Sequence, residues 1–274
     1  VGIKIHNIVT GELENTLAGH LLNAANHPDH SAEEVLPFGF THDHVLHDGT
    51  PAAGGMVPIP VWLIEGASKK ILIDTGLGDL DELMSMMKTY GVDMFASRDE
   101  DQDIVAGLAA RGVTPEEIDI VVLTHLHFDH IGNNHLFPNA KFIVQRSEVA
   151  QGFTPPKYCQ FSYPEYSYNV TNVRDRIQII EGDMQLVPGV RLIKIGGHTP
   201  GTMVVVVDTD EGRVALAGDI MYNYKNLELN WPTGSFWDLQ DLMSGYDRLH
   251  LEADIIIPGH DWEFRERYPS GTIG

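Results

Sequence analysis

The sequence predicts an α/β protein in which two β-sheets pack together and helices cover their outer faces. Eight short runs rich in Val and Ile are bounded by Gly, Pro or Asp, as strands are. Segments with helical periodicity lie between them. Several of the strands are apolar on both faces, which suits sheets covered on each side. At 274 residues the chain is long enough for one sizeable core. It shows neither a Pro/Gly/Ser linker, nor a repeat, nor a low-complexity tract. Residues 1–274 therefore read as a single domain of two pseudo-similar halves, with the boundary near 150–175.

The elements follow in order. The opening "VGIKIHNIVTG" carries no charged-then-apolar leader pattern, although a start at Val1 leaves a processed leader open. Residues 41–58, "THDHVLHDGTPAAGGMVP", read as a long Gly/Pro loop of the kind that is often functional. "VPIPVWLIEG" (57–66) and "KKILIDTG" (69–76) are strands, and "WLIEGASKKILID" reads as their hairpin. The helix 79–91 ends at a glycine cap, and its methionine-rich face suits core packing. The helix 101–112 has an Asp-rich start and also stops at Gly, while "TPEEID" (114–119) supplies an N-cap and a Pro for one short turn. "IDIVVLTH" (118–125) and "AKFIVQ" (140–145) are strands. Residues 152–169 are irregular and rich in aromatics. "VRLIKIGG" (190–197) precedes a second hairpin, 202–209 with 213–219, turned by "DTDEG". A helix over 235–252 places Trp237, Leu239, Leu242, Met243, Tyr246 and Leu249 near one face, and "ADIIIPGH" (253–260) is the last strand.

Composition excludes several functions. The hydrophobic fraction of 43% and charged fraction of 21% are ordinary for a globular chain. Eighteen basic against 39 acidic residues give a net charge of -21, which repels phosphate backbones and anionic membranes. No apolar run reaches the roughly 18–20 residues of a transmembrane helix. Neither nucleic acid nor membrane is expected as a partner, and a small-molecule substrate is. The single cysteine, Cys159, excludes an intrachain disulfide and a cysteine-rich zinc site, and makes a reducing, cytoplasmic setting the default.

Fourteen histidines are many for this length, and their arrangement matters more than their number. In "VVLTHLHFDHIGNN", His125 and His127 stand two apart after a strand, so an extended backbone sends both rings to one side. Asp129 and His130 follow as the chain turns. Zinc takes imidazole nitrogen and carboxylate oxygen, usually four ligands in all, so this crowd is explained more simply by two metals than by one. Three more ligand types each end an apolar strand: His198 in "KIGGHTPG", Asp219 in "VALAGD" and His260 in "DIIIPGH". The glycines around His198 let backbone approach a ligand closely.

"HLHFDH" resembles the HxHxDH signature of the metallo-β-lactamase superfamily, and "ILIDTG", "GGHTPG", "LAGD" and "IIPGH" resemble its other motifs in their usual order. The resemblance spans residues 57–260. It implies a four-layer αββα sandwich, two mixed sheets covered by helices, with a dinuclear metal site at one edge. His125, His127 and His198 would hold one metal, Asp129, His130 and His260 the other, and Asp219 would bridge them. Asp74 would orient a ligand. The cofactor implied is a pair of divalent ions, zinc foremost, with iron and manganese also suited to His/Asp ligation. His135 and the N-terminal His20, His27, His30, His42, His44 and His47 read as loop histidines, the latter near the pocket mouth, because no strand precedes them.

Two metals about 3.5–4 Å apart imply hydrolysis. Within the superfamily, Asp219 and the position of Cys159 argue against β-lactamases. A flavin-dependent diiron branch would need a Glu ligand and a flavodoxin domain, and ribonuclease-like branches are disfavoured by the charge. Tyr222, three residues after Asp219, stands where N-acyl-homoserine lactonases carry a tyrosine that reaches the substrate carbonyl; Tyr224 is the nearby alternative. The expected function is opening of a lactone ring by a metal-bridging hydroxide, with Tyr222 stabilising the oxyanion and Asp129 or Asp219 relaying a proton. The alternative is a glyoxalase II-like thioesterase. A binding or sensor protein fits poorly with seven intact ligands. Trp231, Trp237 and the aromatics of 152–169 suit either an apolar pocket or the core. A homodimer is compatible with the sequence.

Overall fold

The computed structural model describes residues 2–22, 29–31, 34–46, 49–163 and 170–274. Among them, two mixed sheets lie face to face. The larger has nine strands. Seven run in the order Thr272–Ile273, Lys4–Thr16, Pro51–Glu65, Ile71–Ile73, Ile120–Val122, Lys141–Gln145 and Ile177–Ile180. Thr41–Val45 pairs with Pro51–Glu65, and Ala96–Ser97 with Lys4–Thr16. The smaller sheet has five strands, in the order Ile255–Pro258, Gly212–Gly218, Met203–Thr209, Val190–Lys194 and Met184–Val187.

The strand Met203–Thr209 shows why the layers form. Val205 and Val207 point into the core between the sheets, where they meet Ile64, Ile73, Val122 and Ile143 of the larger sheet. Val204 and Val206 point the other way and meet Leu242, Tyr246 and Leu249 of the helix Leu239–Glu252. On the far side of the larger sheet, Leu63, Leu72, Val121 and Phe142 pack with Ile104 and Leu108 of the helix Ile104–Ala109. Alternation of period two thus buries both faces of each sheet. Each such side chain contributes about 1.5–3 kcal/mol on burial. The result is the αββα sandwich.

Local signals behave as the residue types require. Side-chain oxygens of Asp79, Asp103 and Asp238 cap the helices Leu80–Thr89, Ile104–Ala109 and Leu239–Glu252. Leu83 and Met87 of the first of these are core residues. "TPEE" forms a 3₁₀ turn, Pro115–Glu117, closed by a capping box from Thr114 and Glu117. Both expected hairpins form, pairing Trp62 with Ile73 and Val205 with Leu216.

Other expectations need correction. The stretch 41–58 is strand for the most part, because Thr41–Val45 and Pro51–Glu65 pair there; its His47 lies outside the described residues. The opening residues form the long strand Lys4–Thr16, held by Pro51–Glu65 on one side and Thr272–Ile273 on the other. Its mixed sequence "KIHNIVTGELENT" hides the alternation, and a register shift between Val9 and Glu12 breaks it. Trp237 precedes the helix that it was expected to join, since Asp238 is the N-cap.

The topology gathers the polar strand ends. Ile71–Ile73 runs parallel to Ile120–Val122, and Gly212–Gly218 parallel to Ile255–Pro258. Parallel neighbours put their C-terminal ends on one side. Asp74, His125, Asp219 and His260 all follow those ends. The amide of Met203 donates to the Thr124 carbonyl at 3.0 Å, joining the two sheets at that edge.

Candidate metal centre

All seven residues singled out as ligands meet at this edge. His125, His127 and His198 bring ligand atoms within 4.8 Å of one another, as do Asp129, His130 and His260. Asp219 lies between the two groups. Its Oδ1 is 3.0 Å from His260 Nε2 and 3.2 Å from His130 Nε2. Its Oδ2 is 3.4 Å from His198 Nε2 and 3.8 Å from His125 Nε2. One carboxylate thus presents an oxygen to each group. Asp129 Oδ2 sits 3.5 Å from His130 Nε2 and 3.9 Å from His260 Nε2.

Backbone and buried side chains aim the rings. His260 Nδ1 donates to the Pro58 carbonyl at 3.0 Å, and His198 Nδ1 to the Ser235 carbonyl at 3.0 Å. His130 Nδ1 lies 2.7 Å from Asp74 Oδ2, and His125 Nδ1 lies 3.2 Å from Thr124 Oγ1. Engaging Nδ1 in this way fixes the tautomer and leaves Nε2 as the ligand atom. His127 differs, turning its Nδ1 to within 3.1 Å of His198 Nε2. Asp74 also accepts from the amide and hydroxyl of Thr124, each at 2.7 Å. It does so at φ 60°, a left-handed conformation costly for a non-glycine residue. Gly259 lets the ends that carry Asp219 and His260 meet: a Cβ there would fall 2.6 Å from the Gly218 carbonyl oxygen.

The donor set fits divalent metal ions. Among the described residues, the Nε2 atoms of His125 and His130 are buried with no hydrogen-bond partner, as ring nitrogens reserved for a cation would be. Burial holds His125 well below the ordinary histidine range and His127 at about 3, keeping both in the neutral, metal-binding form. At His130 burial acts downward as well, but Asp219, Asp129 and Asp74 outweigh it and raise the group well above 6.5. Burial pushes Asp219 up, yet His260 and His130 prevail and hold it well below the usual carboxylate range. These carboxylates favour positive charge at the cluster.

Tyr222 lines a cavity of about 180 Å³ over the cluster, together with Asp129, Asp219 and His260. Burial, then the Asp219 carboxylate, pushes its phenol well above the ordinary tyrosine value, so the group keeps its proton. Tyr224 does not share this cavity: its ring lies under the Arg267 guanidinium, 3.8 Å away. A second cavity of about 280 Å³ adjoins the first through His127, Phe161, Ser162, His198 and Ser235. Tyr158, Phe236 and Trp237 line it, with Tyr158 and Trp237 stacked at 6.4 Å. Trp231 instead packs beside the core of Leu13, Leu17 and Leu21. Among the aromatics of 152–169, Tyr166 and Tyr168 lie outside the described residues.

His20 is a further correction. It ends the helix Leu17–His20 and is fully buried, with its ring 5.0 Å from that of Tyr222. Asn223 Nδ2 donates to its Nδ1 at 3.0 Å. The apolar surroundings in "TLAGHLL" were the only signal for it. His42 and His44 lie on a strand, and His44 Nε2 is 3.2 Å from Glu14. Neither lines the two cavities. His135 is exposed in a 3₁₀ turn, and His27 lies outside the described residues.

A family model described as Metallo-beta-lactamase superfamily matches residues 54–260. An N-acyl homoserine lactonase of a Bacillus species is 33% identical over 233 residues, covering 81% of this chain and 89% of the relative. A solved N-acyl homoserine lactone hydrolase, with the product N-hexanoyl-L-homoserine bound at its catalytic metal centre, is 25% identical at a TM-score of 0.71, with 97% of each chain covered. A variant of the Bacillus thuringiensis enzyme AiiA with N-decanoyl-L-homoserine at its active site is 25% identical at a TM-score of 0.73, again over 97% of each chain.

Proposed function

The chain belongs to the metallo-β-lactamase superfamily, and from that premise we propose that it is a dinuclear metal-dependent hydrolase that opens lactone rings, N-acyl-homoserine lactones above all. One observation carries the reading: Tyr222 shares a single cavity with Asp129, Asp219 and His260, so a proton donor faces the cluster where a lactone carbonyl would sit. The relatives named as N-acyl homoserine lactonases favour this over the glyoxalase II-like alternative.

We assign His125, His127 and His198 to one ion, Asp129, His130 and His260 to the other, and Asp219 to both. Zinc is the ion best suited to this nitrogen and oxygen set. Two bound ions would supply Lewis acidity toward the carbonyl and lower the pKa of water towards neutrality. The protein's own residues do the rest. Tyr222 donates a hydrogen bond to the carbonyl oxygen, and that bond strengthens as negative charge grows there. Asp129 is at the cavity surface and ionised: burial raises its pKa, but His130 outweighs this and lowers it. It is therefore placed to take a proton and return it to the alkoxide as the ring opens. Phe161, Phe236 and Trp237 offer apolar surface to an acyl chain in the adjoining cavity.

The sheet pairing of Ile5 with Ile273 supports one domain spanning the chain. Among the described residues no helix is long and apolar enough to cross a membrane. The single cysteine supports a reducing, cytoplasmic setting. A homodimer is compatible with all of this, and sedimentation would decide it. The test of function is kcat/KM on N-acyl-homoserine lactones, simple γ- and δ-lactones and a glutathione thioester. Preference for an acyl-homoserine lactone is expected; preference for the thioester would overturn the reading.

A further inference from the structure

Glu148 is a fully buried carboxylate that the proposed chemistry does not use. It lies in the helix Arg146–Phe153, and both of its oxygens are doubly engaged. Oε1 accepts from the Leu126 amide at 3.0 Å and from the Tyr163 hydroxyl at 3.2 Å. Oε2 accepts from the Thr199 hydroxyl at 2.5 Å and from the Gly201 amide at 3.1 Å. Leu126 stands between His125 and His127, Thr199 follows His198, and the Tyr163 ring meets the His127 ring edge-on at 4.9 Å. Three of these four bonds therefore land beside a member of one three-histidine group, and the fourth, from Gly201, closes the loop that carries His198. None reaches Asp129, His130 or His260; His130 is tied instead to Asp74, and His260 to the Pro58 carbonyl. The approach is close: a Cβ on Gly201 would come within 2.4 Å of the Glu148 backbone nitrogen.

We propose that Glu148 is the positioning residue of the three-histidine half of the centre, clamping the loops of His125, His127 and His198 so that this half alone depends on it. The proposal rests on the ligand assignment above. The chemistry explains why a carboxylate is needed. Each oxygen faces one backbone N–H, and a backbone N–H cannot turn away. A glutamine would point its NH₂ at either Leu126 or Gly201 in both amide orientations, leaving a buried donor unsatisfied. The hydroxyls of Tyr163 and Thr199 can rotate to accept, but the amides cannot.

The test loads the protein with cobalt(II) or zinc and titrates it against a chromophoric chelator, with the cobalt absorption spectrum recorded alongside. The parent should hold two ions. Glu148→Gln should lower affinity about 10–100-fold at one site and leave the other within twofold. In a His260→Ala background it should weaken the single remaining ion, and in a His198→Ala background it should add little. Thr199→Val, which removes one donor and keeps the carboxylate, should give a smaller loss at the same half, and it decides the matter if Glu148→Gln does not fold. A parent with two ions, and a Glu148→Gln variant that keeps both affinities or loses both equally, would overturn the clamp while leaving the ligand assignment standing. A parent that never binds two ions would overturn the assignment and the clamp with it.

Discussion

The carbonyl of Pro58, in the N-terminal half, accepts a hydrogen bond from His260 Nδ1 at 3.0 Å across 202 residues of sequence. That bond holds the last candidate ligand with Nε2 towards Asp219 and Asp129. His260→Ala should therefore lower the metal content from close to two ions per chain to close to one, measured by elemental analysis after gel filtration. Unchanged content would mean that His260 is not a ligand.

Tyr222→Phe removes one hydroxyl from the cavity over the cluster and nothing else. Loss of an oxyanion donor should cost ~10² in kcat, the lower end of the usual range because bound metals share the charge. Metal content should not move. A variant with parental kcat on an acyl-homoserine lactone would remove Tyr222 from the mechanism.

Trp237 is 43% exposed and stacks on Tyr158 beside the cavity that adjoins the centre. If an acyl chain lies there, Trp237→Ala should lose about 1–2 kcal/mol of apolar contact, or roughly 5- to 30-fold in kcat/KM, for a decanoyl substrate. A simple γ-lactone without a chain should be hydrolysed at the parental rate. Equal losses on both substrates would place the tryptophan's role elsewhere.

His20 gives the fold a pH dependence. Burial, then the neighbouring His260, lowers its pKa from 6.5 to about 3. Between those values the unfolded chain binds a proton that the folded chain refuses, so stability is complete above about pH 6.5 and declines as pH falls. At pH 5 the deficit is about 2 kcal/mol. In urea unfolding of metal-free protein, His20→Asn should shrink the stability difference between pH 7.5 and pH 5 by about that amount. Parallel curves for parent and variant would show that His20 titrates alike in both states.

What could be seen in advance was local. Strong runs such as "TMVVVVDT" announce strands because both faces are buried, and residues that end such runs directly after a Gly, such as Asp219 and His260, stand out as exceptions to an apolar pattern. The strand Lys4–Thr16 could not be read so, because polar residues alternate irregularly and its partners lie far away in sequence. His20 was equally opaque. Its burial depends on Asn223 and Asn226, whose side chains bind its Nδ1 and its carbonyl from more than 200 residues away. Glu148 looks like any helix glutamate until the loops of Leu126 and Gly201 are folded against it.

The pairing of Ile5 with Ile273 and of His6 with Thr272 has a consequence for synthesis. A ribosome releases the chain from its N-terminus, so Lys4–Thr16 emerges early and can pair with Pro51–Glu65 within the next fifty residues. Ala96–Ser97 then covers its other edge at Glu12 and Leu13, but at Ile5 and His6 that edge stays open until residue 273 is out, and His260 arrives scarcely earlier. Nascent chains halted before 260 should therefore carry an exposed strand edge at Ile5 and an unfinished ligand set, and should be more readily cleaved by protease than chains that include residues 260 to 273.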